Sequence, residues 1–280
     1  MSQLLEITAH STVEIPSGEW KILRDLYVER RNESTGYSCI NNFIHWIAKD
    51  PSIDIKCYTL DDSDWRTDGT HLFIWKFPHN QHVFFNTLSE SLERLTALLL
   101  CLTSNKILFN GYGERLMPAV DAFRKHFAEA PMSTNSTVWY RANKELVVAF
   151  TADAPAGLEF KNLKLEDAET INEIWPHRAP GSIHFVRTLI AHNVSVGAYD
   201  ANGELIAWCL RLPLGSLGIL QVRDTHKRLG LGSLMVRYLS KKISELGEEV
   251  LAPVVPVNMA SRSMFEKLGF QSIDKVYWTF

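Results

Sequence analysis

Seven consecutive residues, Lys227-Arg228-Leu229-Gly230-Leu231-Gly232-Ser233, combine two cations, two glycines and a hydroxyl. The chemistry open to them is anion binding. Glycine lets a ligand come close to the main chain, and basic side chains pair with phosphate oxygens. A helix that starts here points its unpaired N–H groups and the positive end of its dipole at the same spot. On their own, Gly230 and Gly232 could form no more than a tight strand-to-helix turn. With Lys227 and Arg228 beside them, a bound phosphate or pyrophosphate is the better reading.

The flanking elements have to hold that turn. Leu217-Gly218-Ile219-Leu220-Gln221-Val222 reads as an apolar strand, and Arg223-Asp224-Thr225-His226 as a polar turn. Leu234, Met235, Tyr238, Leu239 and Ile243 then recur at helical spacing. Upstream, Leu158–Leu163 alternates as a strand, a helix runs from Lys164 to Trp175 where Pro176 stops it, and Ile183–His192 is a second helix. Val194–Tyr199 and Glu204–Leu212 pair across the turn signal Asp200-Ala201-Asn202-Gly203. Downstream, Glu249–Val257 is a β-branched strand. Asn258 has the chemistry of an N-cap for a helix through Leu268, Gly269 closes that helix, and Gln271–Thr279 is the last strand.

The N-terminal half predicts strands interleaved with helices, an α/β layer. Short helical patterns cover Gln3–Leu5, Trp20–Tyr27 and Asn41–Ala48. Strands are expected at Ile53–Tyr58, Thr70–Lys76, His82–Asn86, Ile107–Phe109, Ser136–Arg141 and Leu146–Phe150. Ser89–Leu102 reads as a helix capped by Ser89, and Leu116–Ala128 as another with Pro118 in its first turn. Gly111-Tyr112-Gly113 reads as a plain loop. His71, His79, His82 and His126 show no ligand spacing with nearby acids, so they are expected to be packing or surface residues. The small, Pro/Gly-containing stretch Thr151–Gly157 is the natural boundary, giving domains 1–152 and 153–280.

Composition excludes several classes. A net charge of −3 over 280 residues, with 46% hydrophobic and 22% charged residues, fits a globular protein with a real core and gives no sign of nucleic-acid binding. The longest apolar run, Leu95–Leu102, is too short to cross a bilayer. The opening residues lack the pattern of a secretory signal. A cytoplasmic location is therefore expected, with a mitochondrial address left open, and the sequons at Asn32, Asn135 and Asn193 carry little weight. Cys39, Cys57, Cys101 and Cys209 are far apart and read as buried free thiols, so neither disulfide nor metal is expected.

The strand-and-helix order of the C-terminal half, the run Lys227-x-x-Gly230-x-Gly232, and Asn258 followed by Phe265-Glu266-Lys267-Leu268-Gly269-Phe270 resemble the GNAT superfamily of acyl-CoA N-acyltransferases. The superfamily's loop is Gln/Arg-x-x-Gly-x-Gly/Ala, and Lys227 holds the first position here. Its terminal signature carries Tyr where this chain has Phe265. The likeness covers residues 158–280. A looser one, through Phe185-Val186-Arg187, Val196–Tyr199, Trp208 and the two-half layout, extends to the glycine N-acyltransferase-like group, whose N-terminal half is a degenerate GNAT-like domain.

The resemblance implies a mixed, mostly antiparallel central sheet flanked by helices. It also implies acetyl-CoA or another acyl-CoA as co-substrate, and a small primary amine such as glycine as acceptor. Acyl transfer to a protein N-terminus and a non-catalytic CoA-binding module are the alternatives. On this reading the backbone of Leu220, Gln221 and Val222 pairs with the pantetheine arm like an added strand, and that strand splays from Glu249–Val257. Lys227, Arg228, Leu229, Gly230, Leu231, Gly232 and Ser233 hold the pyrophosphate. Asn258, Ser261 and Phe265 complete the acyl-CoA contacts, and the Val222 N–H is placed to stabilise an oxyanion. Relatives carry a carboxylate base where this chain has Gln221, which can orient a water but cannot accept a proton. His184, at a helix start on the acceptor side, is the other candidate for proton handling. Asp224 and His226 fit loop residues better than catalysts, and Trp208 fits the core.

Overall fold

The computed structural model describes residues 11–32, 35–61, 64–77, 80–103, 106–127 and 132–280. The expected helix at Gln3–Leu5, His79, Ala128 and most of the Asn32 sequon lie outside the described residues. The chain divides into two compact units, residues 1–135 with 277–280, and residues 136–276.

The first unit contains β1 (Thr12–Ile15), α1 (Trp20–Leu26), α2 (Gly36–Lys49), β2 (Ile55–Leu60), α3 (Trp65–Asp68), β3 (His71–Lys76), β4 (Gln81–Asn86), α4 (Glu93–Leu100), β5 (Ile107–Gly113) and α5 (Met117–His126). Strands β1 to β4 form an antiparallel meander, and β4 pairs with β5 in parallel through Gln81↔Ile107 and Val83↔Phe109. Leu95, Leu98 and Leu99 of α4 and Val120 and Phe123 of α5 bury one apolar stripe each against β4 and β5. Pro118 sits at the start of α5, where its missing N–H costs nothing. Gly111 to Gly113 belong to β5 and not to a loop, because Tyr112 is fully buried and its hydroxyl meets Thr279 Oγ1 at 2.6 Å. Helix α4 begins at Glu93, later than Ser89, because Ser89 belongs to a bridge described below.

The second unit takes over within β6 (Thr134–Ala142). It continues with α6 (Lys144–Val148), β7 (Glu159–Lys161), α7 (Ala168–Ile174), α8 (Ser182–His192), β8 (Ser195–Tyr199), β9 (Leu205–Arg211), β10 (Leu217–Val222), α9 (Leu231–Glu245), β11 (Val250–Val254), α10 (Met259–Lys267) and β12 (Gln271–Thr279). The division falls earlier than residue 153 because β6 pairs with β11 from Val138↔Val254 to Ala142↔Val250. Phe150 is buried in the same core, and Lys241 Nζ and Arg237 Nη1 of α9 hold the carbonyls of Phe150 and Thr151. Residues 146–150 are not a strand. Asn143 caps α6 by accepting from the Leu146 N–H at 2.9 Å, and that cap outweighs the β-preference of Val147 and Val148.

Strands β7, β8, β9 and β10 form a fully antiparallel four-stranded sheet. Leu231, Met235, Val236, Leu239 and Ile243 of α9 share one core with Ala198, Ala207 and Cys209, so α9 covers that face. Trp208 points to the other face, because successive side chains on a strand alternate. Its cross-strand partners are Gly197 and Gln221, which therefore face the same way. An added methyl at Gly197 would strike Leu163 and Tyr199, which places the α7–α8 side of the unit on that face.

Candidate active site

The site begins with an irregularity in β10. Gly218 pairs with Leu210 but Gln221 pairs with Trp208, so β10 carries one residue more than β9 over this span. This is a β-bulge. Ile219 absorbs it with a φ of 47°, a left-handed conformation that costs a β-branched residue about 1–3 kcal/mol. Such strain persists only where the surroundings impose it, and Ile219 is buried.

Beyond the bulge, Arg223 N donates to Ile206 O at 2.8 Å. Backbone groups alternate along a strand, so the N–H and C=O of Val222 point the opposite way, to the free edge of β10. The element near that edge is β11, yet β10 and β11 end different ladders and share no pairing. The expected splay is thus present. Its strand spans Val250–Val254, shorter than 249–257, and Pro256, Val257 and Asn258 form the turn into α10.

One end of this unit collects its loops. Tyr199 pairs with Leu205, and Val222 pairs with Ala207, so the end of β8, the start of β9 and the end of β10 coincide. Helix α8 has 11 residues, spans about 16 Å, and enters β8 after a two-residue link, which returns its start to that same end. Helix α9 also starts there, and α10 starts where β11 finishes. The α7–α8, β10–α9 and β11–α10 turns are therefore gathered around the end of β10.

In the β10–α9 turn, Lys227 and Arg228 are exposed, and Arg228 and Gly230 have φ values of 65° and 78°. Only glycine takes this conformation without strain. The first helical bond of α9 runs from Leu234 N to Gly230 O at 3.2 Å. The N–H groups of Leu231, Gly232 and Ser233 precede it and have no carbonyl to meet within the helix. Leu231 is buried in the core and Leu229 is 66% exposed, so the pair offers backbone rather than polar side chains. Lys227 Nζ lies 2.5 Å from Asp224 Oδ1, and this ammonium holds the Asp224 carboxyl below its ordinary range.

Asn258 accepts from Ser261 N at 3.1 Å, so it is the N-cap of α10. Both residues sit at the gathered end. Phe265 does not. It is buried, stacked on Tyr140 at 5.9 Å and edge-on to Phe270 at 5.0 Å. The apolar ring at this helix position packs inward, which corrects its expected place among the ligand contacts. His184 is exposed in the first turn of α8, and its carbonyl accepts from Thr188 Oγ1 at 2.9 Å. Gln221 is half-buried on the same face of the sheet as α8.

Two groups were not legible beforehand. The Tyr140 hydroxyl donates to Glu266 Oε1 at 2.8 Å and accepts from Arg262 Nε at 3.3 Å, which fixes α10 against β6. Arg178, in the α7–α8 turn, is the other. Its position after Trp175-Pro176-His177 is a weak signal by itself. Among the described residues no group of three His, Cys, Asp or Glu side chains is gathered to hold a metal ion.

The first unit runs through the same order of strand, helix, strand and helix, from β4 to α5, but its corresponding place is shut. Strands β4 and β5 are hydrogen-bonded. Arg115 donates to the carbonyls of Ser89, at 2.8 Å, and Thr87, so the turn before α4 presents C=O groups to a cation. That turn could not receive an anion.

The mixed α/β architecture, with largely antiparallel sheets flanked by helices, matches the fold of solved GNAT proteins. Solved structures agree. An X-ray structure of a Drosophila protein has a TM-score of 0.87 at 22% identity, covering 96% of this chain and 98% of that one. A tandem GNAT protein from the clavulanic acid biosynthesis pathway has a TM-score of 0.56 at 16% identity over 96% and 98%. A GCN5-related glucosamine N-acetyltransferase region of a fungal multi-domain GH3 β-N-acetylglucosaminidase has 0.53 at 10% identity, over 97% of this chain and 38% of that one. Residues 195–279 match the family model of FR47-like proteins. No curated protein matches the chain in sequence.

Proposed function

We propose that the chain is an acyl-CoA-dependent N-acyltransferase whose donor is acetyl-CoA or another acyl-CoA and whose acceptor is the primary amine of a small molecule, an amino acid such as glycine being the simplest. The carrying observation is the free edge of β10, unpaired towards β11 and leading directly into the helix start at Gly230–Ser233. The residues present fit the donor. N–H groups of Leu231, Gly232 and Ser233, with Lys227 and Arg228, suit a pyrophosphate, and the Val222 backbone suits the amides of a pantetheine arm.

The acyl-CoA supplies an activated thioester, whose carbonyl carbon forms the new C–N bond as the C–S bond breaks and the thiol leaves. The Val222 N–H stabilises negative charge on the carbonyl oxygen. Gln221 orients a water that carries away the amine proton, since an amide cannot accept it. None of the four cysteines forms a disulfide, which suits a reducing compartment such as the cytoplasm.

A second reading, a CoA-binding module without chemistry, draws on the absence of a carboxylate at Gln221 and of a hydroxyl at the core residue Phe265. Thioester consumption measured over a panel of acyl-CoAs and amines separates the two. Turnover with an amine is expected. Tight CoA binding with no turnover would leave the binding module.

A further inference from the structure

Resting on the acyltransferase reading, we infer that the acceptor carries a carboxylate beside its amine and that Arg178 binds it. The acceptor has to approach Gln221 from the face that Gln221 looks into. That face carries α7 and α8, with α9 and its phosphate-binding start on the other. The α7–α8 turn lies at the same end of the sheet as Gln221 and Val222, so it borders the acceptor's path.

The charges at this end are mostly spoken for. Lys227 is paired with Asp224, Arg223 Nε is bonded to Leu205 O at 2.6 Å, and Arg262 is held by Tyr140. Asp200 accepts the N–H groups of Asn202 and Glu204. Among the described residues three guanidinium groups at this end have no carboxylate partner, and that of Arg223 is turned back onto β9 by its bond to Leu205 O. Arg228 lies in the phosphate turn. Arg178 lies in the α7–α8 turn, where Nη1 donates to Glu173 O at 3.0 Å and no carboxylate among the described residues pairs with it.

Arg178 is also held in place. Its N–H donates to Trp175 O at 3.1 Å. Ser182 Oγ donates to Asn172 at 2.6 Å and accepts from Ala179 N at 3.1 Å, which clamps the two ends of the turn. Trp175 stacks on Phe185 at 5.9 Å with their planes 10° apart. With one edge of the guanidinium anchored to a carbonyl, the rest is free for a carboxylate, the geometry that arginine recognises best. A polyamine would meet an unpaired positive charge at the same place.

The test compares initial rates for the common amino acids, their carboxamides and spermidine, using acetyl-CoA and the full chain. The amide keeps the amine and removes the negative charge, and its amine deprotonates more readily, so intrinsic reactivity favours it. An amino acid is expected to beat its amide at least tenfold in kcat/KM. In Arg178→Gln that preference should fall at least fivefold, through KM for the acid with kcat nearly unchanged, and Arg178→Lys should recover part of it. CoA affinity and Tm should stay at the wild-type values. Preference for amides or spermidine, or an acid preference that survives Arg178→Gln, would overturn the assignment while leaving acyl transfer intact. No turnover with any amine would overturn both.

Discussion

Gln221 stands opposite Trp208 across the β9–β10 ladder, just beyond the bulge that Ile219 forms. The bulge adds a residue, and an added residue reverses which face every later side chain meets. Without it, Gln221 would point at α9 and the core. With it, Gln221 looks towards α8.

That orientation gives the first prediction. Gln221→Ala should lower kcat about 100-fold, the lower end for positioned proton handling, with KM for acyl-CoA unchanged. Gln221→Glu supplies a true base and should match or exceed wild type at neutral pH and above. Steady-state kinetics at saturating acyl-CoA decide the matter, and wild-type kcat in the alanine variant would exclude the amide from the mechanism.

Gly232 separates space from function. A methyl there meets only Met264 Sδ at 3.5 Å and Val222 Cγ2 at 3.8 Å, ordinary contacts. Gly232→Ala should therefore keep or raise Tm, because alanine is about 0.5–1 kcal/mol the better helix residue. It should still weaken CoA binding, and Gly232→Trp should abolish it. Calorimetry showing unchanged affinity in both variants would remove the helix start from the binding site.

The closed first unit predicts one acyl-CoA per chain. Arg115→Ala frees the carbonyls of Ser89 and Thr87 and should destabilise the unit by about 1–3 kcal/mol, the range for losing a charged hydrogen-bond donor. It should not create a second site. A titration stoichiometry of two, in wild type or variant, would contradict this account.

His71 gives the fold a pH dependence. Its ring is buried and Nδ1 donates to Gly69 O at 2.7 Å. Burial lowers its pKa from 6.5 to about 4. The unfolded chain therefore takes up a proton that the folded chain refuses, and stability present above about pH 6.5 is lost as pH falls towards 4. The loss approaches about 3 kcal/mol at 1.36 kcal/mol per pH unit. Denaturant midpoints measured across this range should fall, and they should fall less in His71→Asn. Equal slopes would assign the acid sensitivity elsewhere.

Much of the second unit was legible because its signals are local. The stripe from Leu234 to Ile243, the hairpin at Asp200–Gly203, the cap at Asn258 and the closing Gly269 each act through neighbours a few residues away. The glycines and cations of residues 227–233 point to anion-binding chemistry through residue type and spacing alone. Short stretches without such signals depart from the expectation, as at residues 146–150, where one hydrogen bond accepted by Asn143 outweighs two valines.

Tertiary structure decided whether the two halves are open or shut. Strands β4 and β5 pair while β10 and β11 do not, yet no residue in either strand announces this, because pairing depends on partners far away in the chain. The same holds for the bulge at Ile219, for the inward turn of Phe265, and for Arg178 reaching the end of the sheet that holds Gln221. The sequence by itself determined most of the local elements and the basic, Gly-rich start of α9. Only the packing of distant segments set that start beside a strand edge left unpaired towards β11, because pairing depends on partners far away in the chain.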